Sequence, residues 1–171
     1  GRMMLLDIAP TLAMYEQTTE AFARAYWHWF FLIRPAPFPE STIESDPEGY
    51  LRAVMSPRSA GMRPFTQAAF SEYLRCVSLP NAAVGLCEDY RASAGIDLLA
   101  DRKDYNTGNK IQVPLSVLWS KDGPIGRYFS PLKEWQKVAI NVQGKELPCG
   151  HYIPEEVPEL LLENVEHFFI P

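Results

Sequence analysis

The sequence predicts an α/β protein with about three parallel strands and an inserted all-helical segment. Three short apolar segments have strand character, at 3–8, 111–119 and 139–143. Residues 40–105, between the first and second of them, show no convincing strand pattern. The last part of the chain alternates strand, helix, strand and helix, an order typical of parallel strands joined by right-handed crossovers.

The first strand is expected at 3–8, where the chain is apolar except for Asp7, as in a covered parallel sheet. Thr11 then follows as a candidate helix cap. The stretch from 11 to 33 has helical periodicity and becomes increasingly aromatic, forming one long helix or two. Three prolines within 35–39 end it, because proline cannot continue a helix.

The remaining elements are predicted from the helical spacing of apolar residues and from residues that end helices. Helices are expected at about 46–55 with Ser45 or Asp46 as cap, at 66–76, at 81–99, at 132–138 and at 155–169. The polar stretch 101–110 is expected to be rich in turns. These elements divide the chain into a core of 1–9 with 106–171 and a helical cap of 10–105.

Composition limits the classes of function. The 171 residues are 47% hydrophobic and 22% charged, as in a globular domain, and the net charge of -5 gives no reason to expect nucleic acid or an anionic membrane as partner. The longest apolar stretch, 25–33, is too short to cross a membrane. Three cysteines without metal-type spacing favour reduced thiols in a cytoplasmic protein, and we expect no metal and no cofactor.

Two residues near opposite ends of the chain have the character of catalytic groups. His151 follows a glycine in Cys149-Gly-His-Tyr-Ile-Pro-Glu155, and Asp7 ends the first apolar run. An acid after one strand and a histidine after a later one form two-thirds of a catalytic triad. Asp122, in Trp119-Ser-Lys-Asp-Gly, is the alternative acid, although we favour Asp7. Without further context, a lone histidine such as His151 is more often a surface residue before a helix, and Asp7 could simply cap the next helix.

Five motifs, in the same order along the chain, resemble those of the haloacetate (fluoroacetate) dehalogenases within the α/β-hydrolase superfamily. They cover nearly the whole chain and match the carboxyl-terminal half of that fold, including its cap. The motifs are Leu6-Asp-Ile-Ala-Pro-Thr11, His28-Trp-Phe-Phe-Leu32 with Pro35-Ala-Pro-Phe-Pro-Glu40, Cys87-Glu-Asp-Tyr-Arg-Ala92, Gly108-Asn-Lys-Ile-Gln-Val-Pro114 and Gly150-His-Tyr-Ile-Pro-Glu-Glu156.

The resemblance implies a hydrolytic cleavage of a carbon–halogen bond in two steps. An aspartate displaces halide to give an ester on the enzyme, and water activated by a histidine hydrolyses that ester. By this resemblance His151 is the general base and Asp7 orients it. His28, Trp29 and Tyr90 match a halide-binding pocket, in which three N–H or O–H donors converge on the leaving anion.

The nucleophile of that mechanism is not found among these residues. The family carries it on a Gly-x-Asp-x-Gly elbow that precedes the equivalent of Met3, and no such motif occurs here. Cys87 lies in a predicted helix and Cys149 is tethered too close to His151, so neither is a convincing substitute. Ser56-Pro57-Arg58 stands where the family often has an aromatic lining residue, which puts the preferred acyl-group size in doubt. Arg58 and Arg91 are expected to be solvated, although either could approach an anionic substrate.

Three functions therefore remain open at the level of sequence. The first is a haloacetate dehalogenase-like hydrolase acting on a small molecule, the second an epoxide or ester hydrolase of the same fold, and the third a non-catalytic binding or interaction domain. Strand 3–8 would lack one neighbour of the complete fold, and an apolar strand edge tends to pair. We expect a second copy of the chain, as a homodimer, or a complementing amino-terminal half to cover it.

Overall fold

The computed structural model describes residues 1–170 and divides into two compact units. The first unit joins Gly1–Thr18 to the chain from Ala100 onward, and the second unit is Thr19–Leu99. The sequence placed the borders of core and cap at 10 and 105. That functional division stays a prediction.

A three-stranded parallel sheet organises the first unit. Strands β1 (Met3–Leu6), β2 (Leu115–Ser120) and β3 (Val142–Leu147) lie in the order β1-β2-β3. Met3 pairs with Leu115, and Leu115 pairs with Val142. The central strand is apolar and almost wholly buried because a parallel sheet is covered on both faces. The predicted fold class, a partial α/β sheet of three parallel strands with an all-helical insertion, is confirmed.

Helices of the first unit cover both faces of this sheet. Val117 packs in a cluster with Trp135, whereas the next residue, Leu118, packs with Leu160 and Leu161. This alternation follows from the two-residue period of a strand. The helices of this unit are α1 (Thr11–Glu16), the end of α8 (Ile96–Thr107), α9 (Pro124–Tyr128), α10 (Pro131–Val138), α11 (Ile153–Glu156) and α12 (Pro158–Phe169).

The second unit is helical throughout. Its elements are α2 (Glu20–Ala25), α3 (Trp27–Leu32), α4 (Phe38–Ser45), α5 (Pro47–Met55), a 3₁₀ turn (Ser56–Arg58), α6 (Gln67–Val77), α7 (Ala82–Ala94) and the start of α8. Asp46 and Thr66 cap α5 and α6 by accepting the N–H groups of Gly49 and Ala69. Leu32, Ile43 and Cys87 belong to a buried cluster between these helices.

Several predicted boundaries were wrong, for identifiable physical reasons. The stretch 101–110 is mostly helix rather than turns, since α8 continues to Thr107 although it carries many charges. Ile111 makes only an isolated bridge to Ala139, and β2 begins after Pro114, which has no N–H to donate. The third strand is the polar edge segment Val142–Leu147 instead of 139–143.

Other predicted helices are divided or were missed. The segment 11–33 forms three helices, because Thr19 starts α2 by accepting the N–H of Phe22 and a new helix begins at Trp27. The expected helix 81–99 is interrupted at Gly95. Helix α4 was not predicted. Within residues 1–170, no helix combines the length and the apolar character that crossing a membrane requires.

Candidate functional site

Asp7 lies at the carboxyl end of β1 and is buried. Its N–H donates to the carbonyl of Leu118 at 2.7 Å, which extends the β1–β2 ladder by one residue. Its φ of 48° lies in the left-handed region, which is uncommon for a residue other than glycine. Such backbone strain persists only where surrounding contacts impose it. The side-chain bonds of Asp7 are the contacts that hold this conformation.

Ser120 fixes one oxygen of the Asp7 carboxylate. The N–H and the Oγ–H of Ser120 both donate to Asp7 Oδ1, each at 2.7 Å. Ser120 ends β2, and the carboxyl ends of neighbouring parallel strands meet at one edge of the sheet. A Cβ at Gly123 would lie 1.9 Å from Ser120 Oγ and 3.4 Å from Asp7 Oδ2, so this glycine allows the loop to pass close to the carboxylate.

The second oxygen of Asp7 meets His151. Nδ1 of His151 lies 2.6 Å from Asp7 Oδ2, and the imidazole is about one-fifth exposed. A carboxylate can only accept hydrogen bonds, so Nδ1 carries the proton and donates it. In the neutral ring this leaves Nε2 as an acceptor, the state that a general base needs. The structure thus brings the two predicted catalytic residues together.

Glu156 holds the backbone on both sides of His151. Its Oε2 accepts the N–H of Gly150 at 2.7 Å, and its Oε1 accepts the N–H of Tyr152 at 3.2 Å. The Tyr152 ring also packs edge-on against the imidazole, with centroids 5.1 Å apart. Glu156 is the last residue of the short helix α11, which directly follows this loop. No residue pattern indicates a role for Glu156, which accepts backbone N–H groups, or for Ser120, which donates to a carboxylate that is distant in the sequence.

Asp122, the alternative acid, makes backbone contacts in the described structure. Its N–H donates to the carbonyl of Cys149 at 3.1 Å, and its own carbonyl accepts from Arg127. The residue is exposed, whereas Asp7 is buried against His151. The observed geometry therefore favours Asp7 as the partner of the imidazole.

The two cysteines considered as nucleophiles are buried thiols. Burial, with the charges of Glu156, Asp7 and Asp122 adding to it, raises the pKa of Cys149 to about 12. Burial and the charge of Glu40 raise the pKa of Cys87 to about 11. A thiol becomes a nucleophile as its thiolate, which such values disfavour near neutral pH.

In the second unit, the structure brings together the three residues of the predicted halide pocket, here called the His28 cluster (His28, Trp29 and Tyr90). Helix α3 carries the first two, which are buried, and α7 carries Tyr90. The Tyr90 ring centroid lies 6.0 Å from that of His28 and 6.0 Å from that of Trp29. Burial raises the pKa of the Tyr90 phenol, and the charge of Arg58 lowers it in part. Tyr90 is therefore a neutral O–H donor near pH 7.

The expectation that Arg58 and Arg91 are solvated was wrong. Arg58 Nη1 lies 3.3 Å from His28 Nε2, and its Nε donates to the carbonyl of Val54 at 2.8 Å. Arg91 pairs with the buried Glu40 at 2.7 Å and also donates to the carbonyl of Arg34. The guanidinium of Arg91 lowers the pKa of the Glu40 carboxyl.

Comparisons with known proteins agree with this fold. No family model matches the chain. A fluoroacetate dehalogenase from Burkholderia sp is 34% identical over 158 residues, which are 92% of this chain and 51% of that protein. A crystal structure of a candidate α/β hydrolase from Nostoc sp PCC 7120 has a TM-score of 0.93 at 45% identity, covering 99% of this chain and 57% of that one. The resemblance to the α/β-hydrolase superfamily is confirmed.

A second curated relative has a name that describes a different reaction. A soluble epoxide hydrolase from Corynebacterium sp. (strain C12) is 28% identical over 179 aligned positions, covering 99% of this chain and 58% of that protein. One of these two relatives is a dehalogenase by name and the other is an epoxide hydrolase. The chain of this α/β-hydrolase-like protein spans about half the length of the curated relatives that it matches.

Proposed function

We propose that this α/β-hydrolase-like chain supplies the general base and the helical cap of a haloacetate dehalogenase-like hydrolase. The observation that carries the proposal is the 2.6 Å contact between His151 Nδ1 and Asp7 Oδ2. With its proton on Nδ1, His151 can accept a proton from water at Nε2. The hydroxide adds to the carbonyl of an enzyme ester, and the ester breaks to release a hydroxyacid and the original carboxylate. Asp7 stabilises the imidazolium formed in this step.

The ester itself requires a nucleophile that these 171 residues do not offer on a recognisable elbow. We propose that an aspartate on a complementing half attacks the α-carbon of a haloacid, so that a carbon–oxygen bond forms as the carbon–halogen bond breaks. In the second unit, N–H and O–H groups of the His28 cluster are the proposed donors to the anion. Hydrogen bonds of this kind replace the water that a departing halide would otherwise need.

The unpaired edge of strand β1 supports the proposal that the complementing half binds there. Among the described residues, β1 pairs with β2 alone, and Met3 is partly exposed. An unpaired strand edge is a template for another strand. We propose that the complementing half, or failing that a second copy of this chain, adds a strand beside β1. Three free thiols support a reducing, cytoplasmic location.

The test mixes the purified chain with the amino-terminal half of the Burkholderia dehalogenase and follows fluoride release from fluoroacetate with an ion-selective electrode. We expect release that requires both polypeptides and that His151→Ala abolishes. His167→Ala is the matched control, since His167 is exposed on α12. Complex formation on size-exclusion chromatography without any halide release would contradict the dehalogenase proposal.

Epoxide hydrolysis is the second candidate, favoured by the likeness to the Corynebacterium enzyme. The same base would hydrolyse the ester, and the Tyr90 O–H would donate to the opening epoxide oxygen. Diol formation from a small epoxide by the same mixture, lost in Tyr90→Phe, would select this reaction. A complex that turns over neither substrate would leave the third possibility, a binding domain.

A further inference from the structure

The indole of Trp135 holds the chain directly after Asp7. Trp135 lies on α10, and its Nε1–H donates to the carbonyl of Ile8 at 2.8 Å. The two bonded residues are 127 positions apart in the sequence. An indole has one N–H donor, so this bond uses the donor capacity of the side chain completely. Trp135 therefore belongs to the surroundings of Asp7, although its bond is made to the backbone.

This bond completes a pair of backbone bonds around Asp7. On the amino side, the N–H of Asp7 donates to the carbonyl of Leu118 at 2.7 Å. On the carboxyl side, the carbonyl of Ile8 accepts from Trp135. The two bonds enclose the backbone angles of Asp7, including its φ of 48°. A positive φ costs a residue with a side chain an amount of free energy comparable to the net contribution of one hydrogen bond. A single bond can therefore decide whether this conformation is kept.

The backbone conformation of Asp7 determines where its carboxylate points. A rotation back to negative φ would turn the Cα–Cβ bond and carry Oδ2 away from His151 Nδ1, which now lies 2.6 Å from it. Ser120 holds the other oxygen, Oδ1, through its N–H and its hydroxyl. The carboxylate is thus positioned both by its own bonds and by the backbone that carries it. Trp135 acts on the backbone.

Packing alone does not fix the Trp135 side chain. It packs against a buried cluster that includes Val117 and Ala139. It also lines a cavity of about 410 Å³, which it shares with Tyr105. A side chain that borders open space has room for other rotamers, unlike one enclosed by close packing. The bond to Ile8 therefore selects the observed orientation of the indole.

We infer that Trp135 is a positioning residue for the general base, because its bond to the Ile8 carbonyl keeps the Asp7 carboxylate aligned with His151. The inference rests on the proposed function only for its effect on turnover. The geometry itself lies within the first unit, so it can be measured on this chain without a nucleophile or a substrate. A residue that only packs would change the stability of the chain but not the state of the His151 Nδ1–H.

The experiment compares the natural chain with Trp135→Phe, which keeps an aromatic ring and removes the N–H. NMR of the ¹⁵N-labelled chain follows the Nδ1–H proton of His151, both its chemical shift and its rate of exchange with water. We expect the signal to move upfield and the exchange to become about two- to tenfold faster, the range that corresponds to the loss of one hydrogen bond. In the reconstituted hydrolase, kcat should fall by a similar factor while KM stays unchanged, because Asp7 acts on the base and not on substrate binding.

Two further variants separate the hydrogen bond from packing. Trp119→Phe is the matched control, since Trp119 packs against the same buried cluster, and it should leave the Nδ1–H signal of His151 unchanged. Benzothienylalanine at position 135 keeps the bicyclic shape of tryptophan and replaces the N–H by sulfur. It should reproduce the effect of Trp135→Phe, even if the smaller ring of phenylalanine prevents that variant from folding.

An unchanged Nδ1–H signal in the variants at position 135 would overturn the inference. An equal change in Trp119→Phe would overturn it too, as would a change in Trp135→Phe that the benzothienyl analogue does not share, because either result assigns the effect to packing. A higher KM at unchanged kcat would also contradict a role in positioning the base. If no mixture releases halide, that result counts against the proposed function, whereas the Nδ1–H signal still decides the role of Trp135.

Discussion

Asp7 Oδ2 and His151 Nδ1 lie 2.6 Å apart although 144 positions separate the two residues in the sequence. Neither side chain is held by this contact alone. Ser120 binds the other carboxylate oxygen, and Glu156 binds the backbone around the imidazole. The geometry of the pair is thus set by four residues from three separate segments of the chain.

Asp7→Asn should remove the control of the His151 tautomer. An amide at this position can donate toward the ring, so Nδ1 is no longer obliged to carry the proton. We expect the Nδ1–H proton signal of His151 to disappear from the NMR spectrum. In a reconstituted hydrolase, turnover should fall by about 10³–10⁴-fold, as in other triads with this substitution.

Asp122→Asn is the matched control for Asp7→Asn because it makes the same change in the alternative acid. It should keep both the signal and the activity. If the Nδ1–H signal is lost in the Asp122 variant and kept in the Asp7 variant, Asp122 and not Asp7 is the acid that binds His151.

Glu156→Gln should weaken the His151 loop. One of the two backbone N–H groups would then face an amide N–H₂ group, which cannot accept a hydrogen bond. An unsatisfied, partly buried donor costs about 1–3 kcal/mol, measured as a lower free energy of unfolding in urea. Glu159→Gln makes the same charge change at an exposed position of α12 and should lie within about 0.5 kcal/mol of the natural chain. Equal stability of the two variants would show that Glu156 does not hold the loop.

Arg91→Met should destabilise the chain by about 3 kcal/mol. The substitution leaves Glu40 without its guanidinium partner in a buried position, where an unpaired charge is expensive. Arg75→Met breaks the exposed pair with Glu72 and should cost about 0–1 kcal/mol. Thermal or urea unfolding of both variants gives the comparison, and similar losses would contradict a special role for the buried pair.

The same pair predicts a dependence of stability on acid. Because Arg91 lowers the pKa of Glu40 in the folded chain, the carboxylate contributes stability that is fully present above the ordinary pKa of 4.5. That contribution is lost as the pH falls through the lowered value of the folded state. As the pH falls below 5, the free energy of unfolding of the Glu40→Gln variant should therefore decrease less than that of the natural chain. Parallel profiles of the two proteins would argue against this linkage.

Thiol labelling should distinguish the three cysteines. At pH 8 we expect one thiol per chain, the exposed Cys76, to react rapidly with a disulfide reagent. The two buried thiols, with pKa values of about 11 and about 12, hold on the order of a thousandth or less of their population as thiolate. In denaturant all three should react. A fast reaction that survives Cys76→Ser would contradict this order.

Sequence patterns predicted the parts of the fold that burial dictates. The central strand β2 is an apolar run because both faces of the sheet are covered, and Asp7 was found because it interrupts the apolar run of β1. The edge strand β3 was misplaced because most of its residues are exposed, so its sequence, Val142-Gln-Gly-Lys-Glu-Leu147, carries little apolar signal. The second half of helix α8, from Asp101 onward, was predicted as turns for the same reason.

The contacts that support the site could not be predicted from the sequence. Ser120 and Glu156 act through bonds to Asp7 and to backbone N–H groups, and their partners become neighbours only once the parallel sheet has formed. Arg58 was expected in solvent because a charge in a Pro-rich loop usually is solvated. Its approach to His28 depends on how the 3₁₀ turn meets α3, which periodicity does not encode.

The order of the parallel strands has a consequence for synthesis of the protein. β1 is made before its partner β2, which follows only after more than a hundred residues, and His151 is made later still. Contacts of such high sequence separation form late, since loop closure must precede them. On the ribosome, β1 therefore emerges long before anything in this chain can pair with it, while the helices of the second unit can already form locally. The base and its acid can therefore meet only after the segment that carries His151 has been synthesised.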